Sequence, residues 1–310
     1  MRTVFLGTPA FAVPTLEAMV RAGHEVAAVV TQPDRPRGRG QSAAAPPVKE
    51  AAVRLGLPVY QPERVRRPEA VEYLRGLGAE VMVVVGYGQI IPQSVIDLAP
   101  LGIINVHASL LPKYRGAGPI QWSIINGETR TGVTTMRIDA GLDTGDMLLK
   151  AETEIGPEEN AIELGKRLAM LGADLLVETL ARLPRIVPEK QDPDQATYAP
   201  LLKKEDGWID WNQPAVSIHN RIRGLQPWPG AQTTFRGVLL HLWRSNTEPR
   251  PSGSGFPGTI IKLKPLLVET GEGVLELLEV QLEGRKRISA ADFVNGQRIA
   301  ENEILGAPRS

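Results

Sequence analysis

An amide, an imidazole and a group of carboxylates lie near one another in the middle of the chain. Ile104-Asn-Val-His-Ala-Ser-Leu-Leu-Pro112 is an apolar run that abruptly presents Asn105 and His107. Asp139-Ala-Gly-Leu-Asp-Thr-Gly-Asp146 follows as a glycine-broken turn with three aspartates, Asp139, Asp143 and Asp146. These are parts that can move an acyl group onto an amine. Negative charge grows on the carbonyl oxygen as the amine attacks, and donors are needed where it grows. Asn105 supplies an amide N–H and a protonated His107 a charged one. A carboxylate near the imidazole favours its charged form and can accept the amine proton, directly or through water. All three aspartates are candidates for that carboxylate. No serine or lysine pairs clearly with a base and there is no cysteine, so direct transfer is favoured over a covalent acyl intermediate. Each residue also has a plain structural reading, as a hydrogen-bonded strand-end histidine, a turn-satisfying asparagine or an Asx-turn aspartate.

The elements that must hold these groups follow an α/β pattern. Thr3 to Leu6, a helix ending near Gly23, and the strand Glu25 to Thr31 form a βαβ start, which predicts a parallel, doubly wound sheet. Gly7-Thr-Pro-Ala10 replaces GxGxxG, and no acidic residue ends the second strand to hold a ribose, so a dinucleotide is not expected. Helices over Val48–Leu55 and Pro68–Gly76 flank a short strand at Val59-Tyr60. Glu80-Val-Met-Val-Val-Val-Gly86 is apolar on both faces, as a central strand covered by helices requires. It ends in Gly86-Tyr-Gly-Gln-Ile-Ile91, where glycines allow close backbone approach to a ligand or simply make a turn. Gly102 to His107 is the next strand. Asn105 and His107 are two apart, so they share a face with Cβ atoms roughly 6–7 Å apart. They fall at its C-terminal end, where open parallel sheets bind ligands. A helix near Pro119–Asn126, strands over Gly132–Ile138 and Asp146–Ile155, and a long helix from Asn160 to Leu183 follow. In that helix Leu164, Leu168, Leu171 and Leu175 make one apolar stripe.

Two stretches lack periodicity. Gln32 to Pro47 is rich in proline and glycine and carries Arg35, Arg37 and Arg39. It reads either as a solvated loop or as a phosphate- or RNA-contacting arm. Pro184 to Asp206 reads as a linker. Beyond it come a short helix over Pro214–Gly224, five short strands between Gln232 and Gln281, and a short helix near Ala290, which suggests a small β-barrel. Arg285-Lys286-Arg287 lies just after the last of these strands.

Composition sets wider limits. A chain of 310 residues can bury two cores, and 35 basic against 35 acidic residues give no bulk charge to announce a nucleic-acid partner. From Gly207 onward 12 basic and 10 acidic residues nearly cancel, so any basic surface there must come from uneven distribution. No apolar run approaches 18 residues, so no membrane span is expected. The strand-like start at Met1 leaves no room for a targeting peptide, and a cytoplasmic bacterial chain is expected. With no cysteine, disulfides and thiolate metal sites are excluded. The four histidines are scattered, so no metal is expected.

The paired stretches Asn105-Val-His-Ala-Ser-Leu-Leu-Pro-Lys-Tyr-Arg-Gly116 and Asp139 to Asp146 resemble the signature of the 10-formyltetrahydrofolate-dependent formyltransferases. The 35 residues between His107 and Asp143 fit that family's spacing. The resemblance runs over nearly the whole chain, through Phe5-Leu-Gly-Thr-Pro9, Thr31-Gln-Pro-Asp-Arg-Pro36, Pro227-Trp-Pro-Gly230 and Ile288-Ser-Ala-Ala-Asp292. It implies a Rossmann-like catalytic domain with a mostly parallel sheet (1–189), a linker (190–206) and a C-terminal OB-like barrel that binds tRNA (207–310). By matching position, Asn105 and His107 would polarise the formyl carbonyl and stabilise the oxyanion. Asp143 would hold His107 charged and take up the amine proton. Ser109, Leu110, Leu111 and Pro112, with Gly86, Tyr87, Gly88, Gln89, Ile90, Ile91 and Asp139, would line the site of the donor, 10-formyltetrahydrofolate. The acceptor implied is the α-amine of methionine on initiator tRNA, contacted by Arg35, Arg37 and Arg39 and by Arg285, Lys286 and Arg287. Where many relatives carry lysines after Gly-Arg-Gly40, this chain has Gln41-Ser-Ala-Ala-Ala45, which shifts the expected contact onto Arg37 and Arg39. A monomer is implied.

Overall fold

The computed structural model describes residues 1–37, 42–248 and 255–306, with the side chains of 36, 37, 42, 43 and 248 left out. The chain forms two compact units. One comprises Met1–Pro119, Arg130–Glu154 and Gly165–Ala199, the other Ile120–Thr129, Ile155–Leu164 and Pro200–Ser310.

A seven-stranded sheet centres the first unit, in the order Met147–Glu154, Arg130–Arg137, Ile103–His107, Val81–Val85, Arg2–Gly7, Glu25–Val30, Val59–Tyr60. The last five in this order run parallel, while Arg130–Arg137 is antiparallel to both of its neighbours. The sheet winds outward to one edge, returns to the other side of Arg2–Gly7 and winds outward again, which is Rossmann-like topology. All five residues of Val81–Val85 are buried, as an apolar strand covered on both faces must be. The flanking helices Val13–Arg21, Pro47–Arg54 and Pro68–Gly76 each carry proline in the first two positions, where its missing N–H costs nothing. Each buries apolar side chains, such as Leu16 and Met19, Val48 and Ala52, Val71 and Leu74.

At the point where the winding reverses, the loops after Arg2–Gly7 and Val81–Val85 touch. Thr8 Oγ1 donates to the Tyr87 carbonyl at 2.9 Å, and Gln32 Nε2 donates to the same oxygen at 3.1 Å. A nucleotide-binding sheet keeps a crevice here; in this chain hydrogen bonds draw the two loops together.

The long helix is Ala161–Arg182. Leu164, Leu168 and Leu175 are buried with Leu176 and Leu180, while Leu171 stands at the edge of the stripe. Gly172 brings the helix against the back of Ile103–His107: a Cβ there would lie 2.8 Å from Val106 Cγ1.

The second unit holds an antiparallel sheet in the order Ala231–Phe235, Val238–Glu248, Val274–Leu282, Leu266–Glu269, Ile260–Leu263, with Ile288–Ser289 also paired to Val274–Leu282. Its core gathers Trp211, Ile218, Ile222, Phe235, Leu240, Leu275 and Phe293. Among the described residues this ladder is an open path, with no strand pairing between Ala231–Phe235 and Ile260–Leu263 to close a barrel. Helix Ala290–Gln297 starts from Ser289, whose Oγ accepts the Asp292 N–H at 3.1 Å.

Two stretches without periodicity are more ordered than their sequence predicts. Arg35–Arg37 and Ser42–Ala44 pair as a short antiparallel ribbon, in which Pro36 is tolerated because both strands are edges. Within Pro184–Asp206, Tyr198–Ala199 pairs in parallel with Arg115–Gly116, and Glu189 bridges to Met147. Both pairings are made by main chain, which leaves no side-chain pattern behind. No described helix is long and apolar enough to cross a membrane.

Candidate active site

The site grows from the C-terminal end of Ile103–His107. The strand period turns Asn105 and His107 to one face and Val106 to the other, against the long helix. Antiparallel pairing with Arg130–Arg137 sets Asn105 opposite Met136 and His107 opposite Thr134. Arg130–Arg137 then feeds the aspartate turn. Gly145 permits the tight return, since a Cβ there would fall 1.9 Å from the Arg137 carbonyl oxygen.

Of the three aspartates, Asp143 meets both residues. Its Oδ1 accepts from Asn105 Nδ2 at 3.3 Å, and its Oδ2 lies 3.6 Å from His107 Nδ1. The second distance is that of an ion pair, not a hydrogen bond. Oδ2 also accepts the Gly116 N–H at 2.9 Å, which aims the carboxylate. Asp143 stands in left-handed backbone, φ 52°, a conformation aspartate tolerates better than most residues. The side chains of His107 and Asp143 are 6% and 17% exposed, so water screens the pair weakly. His107 Nε2 is 2.9 Å from the Tyr114 carbonyl oxygen. A carbonyl only accepts, so Nε2 carries a proton and Nδ1 is the nitrogen that faces Asp143.

Asp139 works within its own turn, accepting the Gly141 N–H at 3.0 Å and the Thr144 hydroxyl at 2.8 Å. Asp146 contributes its carbonyl, which accepts the Arg137 N–H at 2.9 Å.

The residues expected at the folate site separate into two kinds. Val84 pairs with Asn105 across the sheet, so Gly86–Ile91 leaves from the strand next to the site and at the same edge. Gly86 and Gly88 take positive φ, 56° and 83°. The Tyr87 ring is buried in the core with its hydroxyl unpartnered, and burial, with Tyr60 adding, pushes that phenol's pKa well up. Gln89 is spent on the Val65 N–H and the Glu63 carbonyl, at 2.8 and 3.3 Å. Ile90 is 91% exposed and Ile91 half-buried. In the other segment, Ser109 donates to the Lys113 carbonyl at 2.6 Å, and Leu111 packs inward on Met136 and Met147. Thr134 Oγ1 donates to the Ser109 carbonyl at 2.7 Å and accepts the Leu111 N–H at 3.1 Å, which fixes the bend. Leu110 lies against Gly132, and Leu110 and Pro112 are half-buried.

The arginines expected to contact RNA lie in different units. Arg35 is exposed, Arg37 contributes its main chain to the ribbon, and Arg39 falls outside the described residues. Just before the ribbon in the chain, Asp34 accepts from Gln61 Nε2 at 2.7 Å and from Lys49 Nζ at 2.6 Å, and those bonds hold its carboxyl below the usual range. In the second unit Arg285, Lys286 and Arg287 are all exposed. Arg287 pairs with Glu279 and lies 5.1 Å over the Trp243 ring.

Sequence reasoning missed the groups that hold the aspartate turn. Gln191 Nε2 donates to the carbonyls of Asp143 and Gly145, both at 2.8 Å. Its Oε1 accepts from Arg115 Nε and Nη2 at 3.0 and 2.8 Å. Thr197 Oγ1 accepts the Tyr114 N–H at 2.9 Å. Gln191 and Thr197 sit in the stretch read as a linker, and nothing in their surroundings signals a role.

Comparison with known proteins adds three kinds of likeness. Residues 1–180 match the formyl transferase family and residues 201–298 its C-terminal domain. The methionyl-tRNA formyltransferase of Solibacter usitatus is 78% identical over 308 residues, covering 99% of each chain. In fold, the chain is similar to HypX from Aquifex aeolicus in complex with tetrahydrofolic acid, with a TM-score of 0.64 at 16% identity over 98% of this chain and 48% of that one. It is also similar to the N-formyltransferase from Helicobacter canadensis bound to folinic acid and dTDP-3-aminofucose, with a TM-score of 0.63 at 18% identity over 89% and 98% of the two chains. With both formyl transferase domains matched and near-complete alignment to so similar a relative, the chain belongs to the formyl transferase family, among the methionyl-tRNA formyltransferases.

Proposed function

We propose that this protein transfers the formyl group of 10-formyltetrahydrofolate to the α-amine of methionine on initiator tRNA, for translation initiation. The observation that carries the reading is the meeting of Asp143 with Asn105 and His107 at one strand end. Asn105 Nδ2 has a second N–H beyond the one given to Asp143, and it serves the formyl oxygen as the amine attacks. The new C–N bond places a negative charge on that oxygen. His107 stabilises the charge when Nδ1 carries a proton, and Asp143 keeps the imidazole facing the site. Asp143 then takes the proton lost by the amine, directly or through water. Collapse of the tetrahedral adduct breaks the bond to the folate nitrogen, which leaves with the proton that Asp143 took from the amine. The attacking amine must be neutral, and its attachment to an ester-bearing carbon favours that form near neutral pH.

Residues Gly86 to Ile91, Ser109 to Pro112 and Asp139 form the folate site in this reading. Its support is the pairing of Val84 with Asn105, which starts the glycine-bearing loop beside the reacting groups. Residues 1–189 carry catalysis, 190–206 the connection and 207–310 tRNA binding. The acceptor stem is met by Arg35, Arg37 and Arg39, and further phosphates by Arg285, Lys286 and Arg287. The protein acts as a cytoplasmic monomer and uses no metal.

The test is direct. Purified protein, 10-formyltetrahydrofolate and methionylated initiator tRNA should yield formyl-methionyl-tRNA. No such product, together with formylation of an amino-sugar nucleotide, would overturn the assignment of the acceptor.

A further inference from the structure

Asp143 must face Asn105 and His107 at once, and it does so from φ 52°, a conformation non-glycine residues seldom adopt. Its side chain is committed to the site, so the restraint has to act on the main chain. The carboxamide of Gln191 supplies it, with both N–H groups on the carbonyls of Asp143 and Gly145. The oxygen of the same carboxamide takes two N–H groups from buried Arg115. Every hydrogen-bonding valence of the amide is therefore used. Arg115 also decides which way the amide points: its donors demand the oxygen, so both Gln191 N–H groups must face the turn.

The segment carrying Gln191 grips the site at a second place. Tyr198–Ala199 pairs with Arg115–Gly116, and Gly116 donates the N–H that aims the Asp143 carboxylate. One stretch of chain, residues 191–199, thus holds both the turn that carries Asp143, through the Gln191 side chain, and the donor that orients it, through main-chain pairing at Tyr198–Ala199.

We propose that Gln191 is a positioning residue for formyl transfer, acting through Asp143 with Arg115 as its anchor. This rests on the function proposed above. Gln191 is too engaged to touch a substrate; its contribution is to keep the carboxylate in register with Asn105 and His107. A misplacement of about 1 Å at a reacting group costs on the order of 100-fold in rate.

Gln191→Glu separates this role from a merely structural one. It is nearly isosteric and keeps an acceptor for Arg115, now a charged one, so the anchor survives. It loses both donors and sets a carboxylate oxygen against the carbonyls of Asp143 and Gly145. Steady-state formylation of initiator methionyl-tRNA should show kcat reduced roughly 100-fold, with KM for both substrates retained. In an Asp143→Asn background the same substitution should change kcat little, because the group it positions is already lost. Gln191→Ala should lower kcat as far and also lower Tm, since Arg115 then loses its partner. Wild-type kcat in Gln191→Glu, or a loss fully additive with Asp143→Asn, would overturn the inference. A wild-type protein that makes no formyl-methionine would instead overturn the function it rests on.

Discussion

Replacing Asp143 by asparagine removes a charge while leaving the shape of the site nearly intact. Asparagine tolerates φ 52° as well as aspartate does, so the turn should persist. The charge lost sits 3.6 Å from His107 Nδ1. When Nδ1 carries a proton, Coulomb's law at an effective dielectric of about 20 puts that pair at about 4–5 kcal/mol. The pair exists before the reaction, so only the part that grows with the oxyanion affects the rate. Taking about half gives roughly 2 kcal/mol. A hydrogen-bond mismatch bears on stability instead. Oδ1 and Oδ2 both accept in the native site, from Asn105 Nδ2 and Gly116 N–H. However the new amide turns, its NH2 faces a donor, which costs about 1 kcal/mol of folding stability. The rate term of roughly 2 kcal/mol corresponds to a fall in kcat of about 10- to 100-fold. Single-turnover formylation with saturating folate measures the step itself, and circular dichroism checks the fold. A folded Asp143→Asn protein with wild-type turnover would refute the reasoning and move the role to another group.

Further substitutions probe other links. Gly172→Val puts a branched side chain where a Cβ alone would be 2.8 Å from Val106, so Tm should fall by the equivalent of about 1–3 kcal/mol of overpacking; an unchanged melt would mean that helix and strand can separate at no cost. Arg35→Ala should raise KM for the tRNA but not for the folate, and should flatten the salt dependence by about one counterion. If the tRNA parameters and their salt slope are untouched, Arg35 is not a contact. Arg236 and Glu303 meet through two bonds of 2.7 Å, and that pairing, opposed by partial burial, holds the Glu303 carboxyl below its usual range. Because the folded value is depressed, the stabilisation is complete above about pH 4.5 and fades as pH falls further. Glu303→Gln should therefore lower Tm at neutral pH and make no difference in strong acid; an equal loss at both would contradict the linkage.

The features legible in sequence are those written in side-chain periodicity. Val81–Val85 announces a buried central strand because five apolar residues have no polar face to turn outward. Leu164, Leu168 and Leu175 mark the long helix because their spacing returns to one side. Asn105 and His107 share a face because a strand alternates. What sequence left open was set by chain geometry. Asp139, Asp143 and Asp146 are chemically alike, and only the curl of the turn spends the first on Thr144 and aims the second at the imidazole. The resemblance places Tyr87 in the folate lining, whereas its ring is in the core. Gln191 and Thr197 were invisible for a different reason. A single amide on two carbonyls, or two residues of parallel pairing, places no demand on neighbouring residues and so leaves no pattern.

The lengths of the bonds in the site also divide the labour within it. The bond from Asn105 to Asp143 is 3.3 Å, longer than the usual N–H···O distance, whereas that from His107 to the Tyr114 carbonyl is 2.9 Å. The amide is therefore the group free to turn toward a growing oxyanion at little cost, and the imidazole is the one held in place. A fixed imidazole is useful only if the carboxylate opposite it is equally fixed. Asp143 cannot achieve that with its own side chain, which has already given both oxygens to the site. In the proposed reaction, restraint of its main chain by Gln191 lets a loosely bonded Asn105 and a firmly bonded His107 act on the same oxygen.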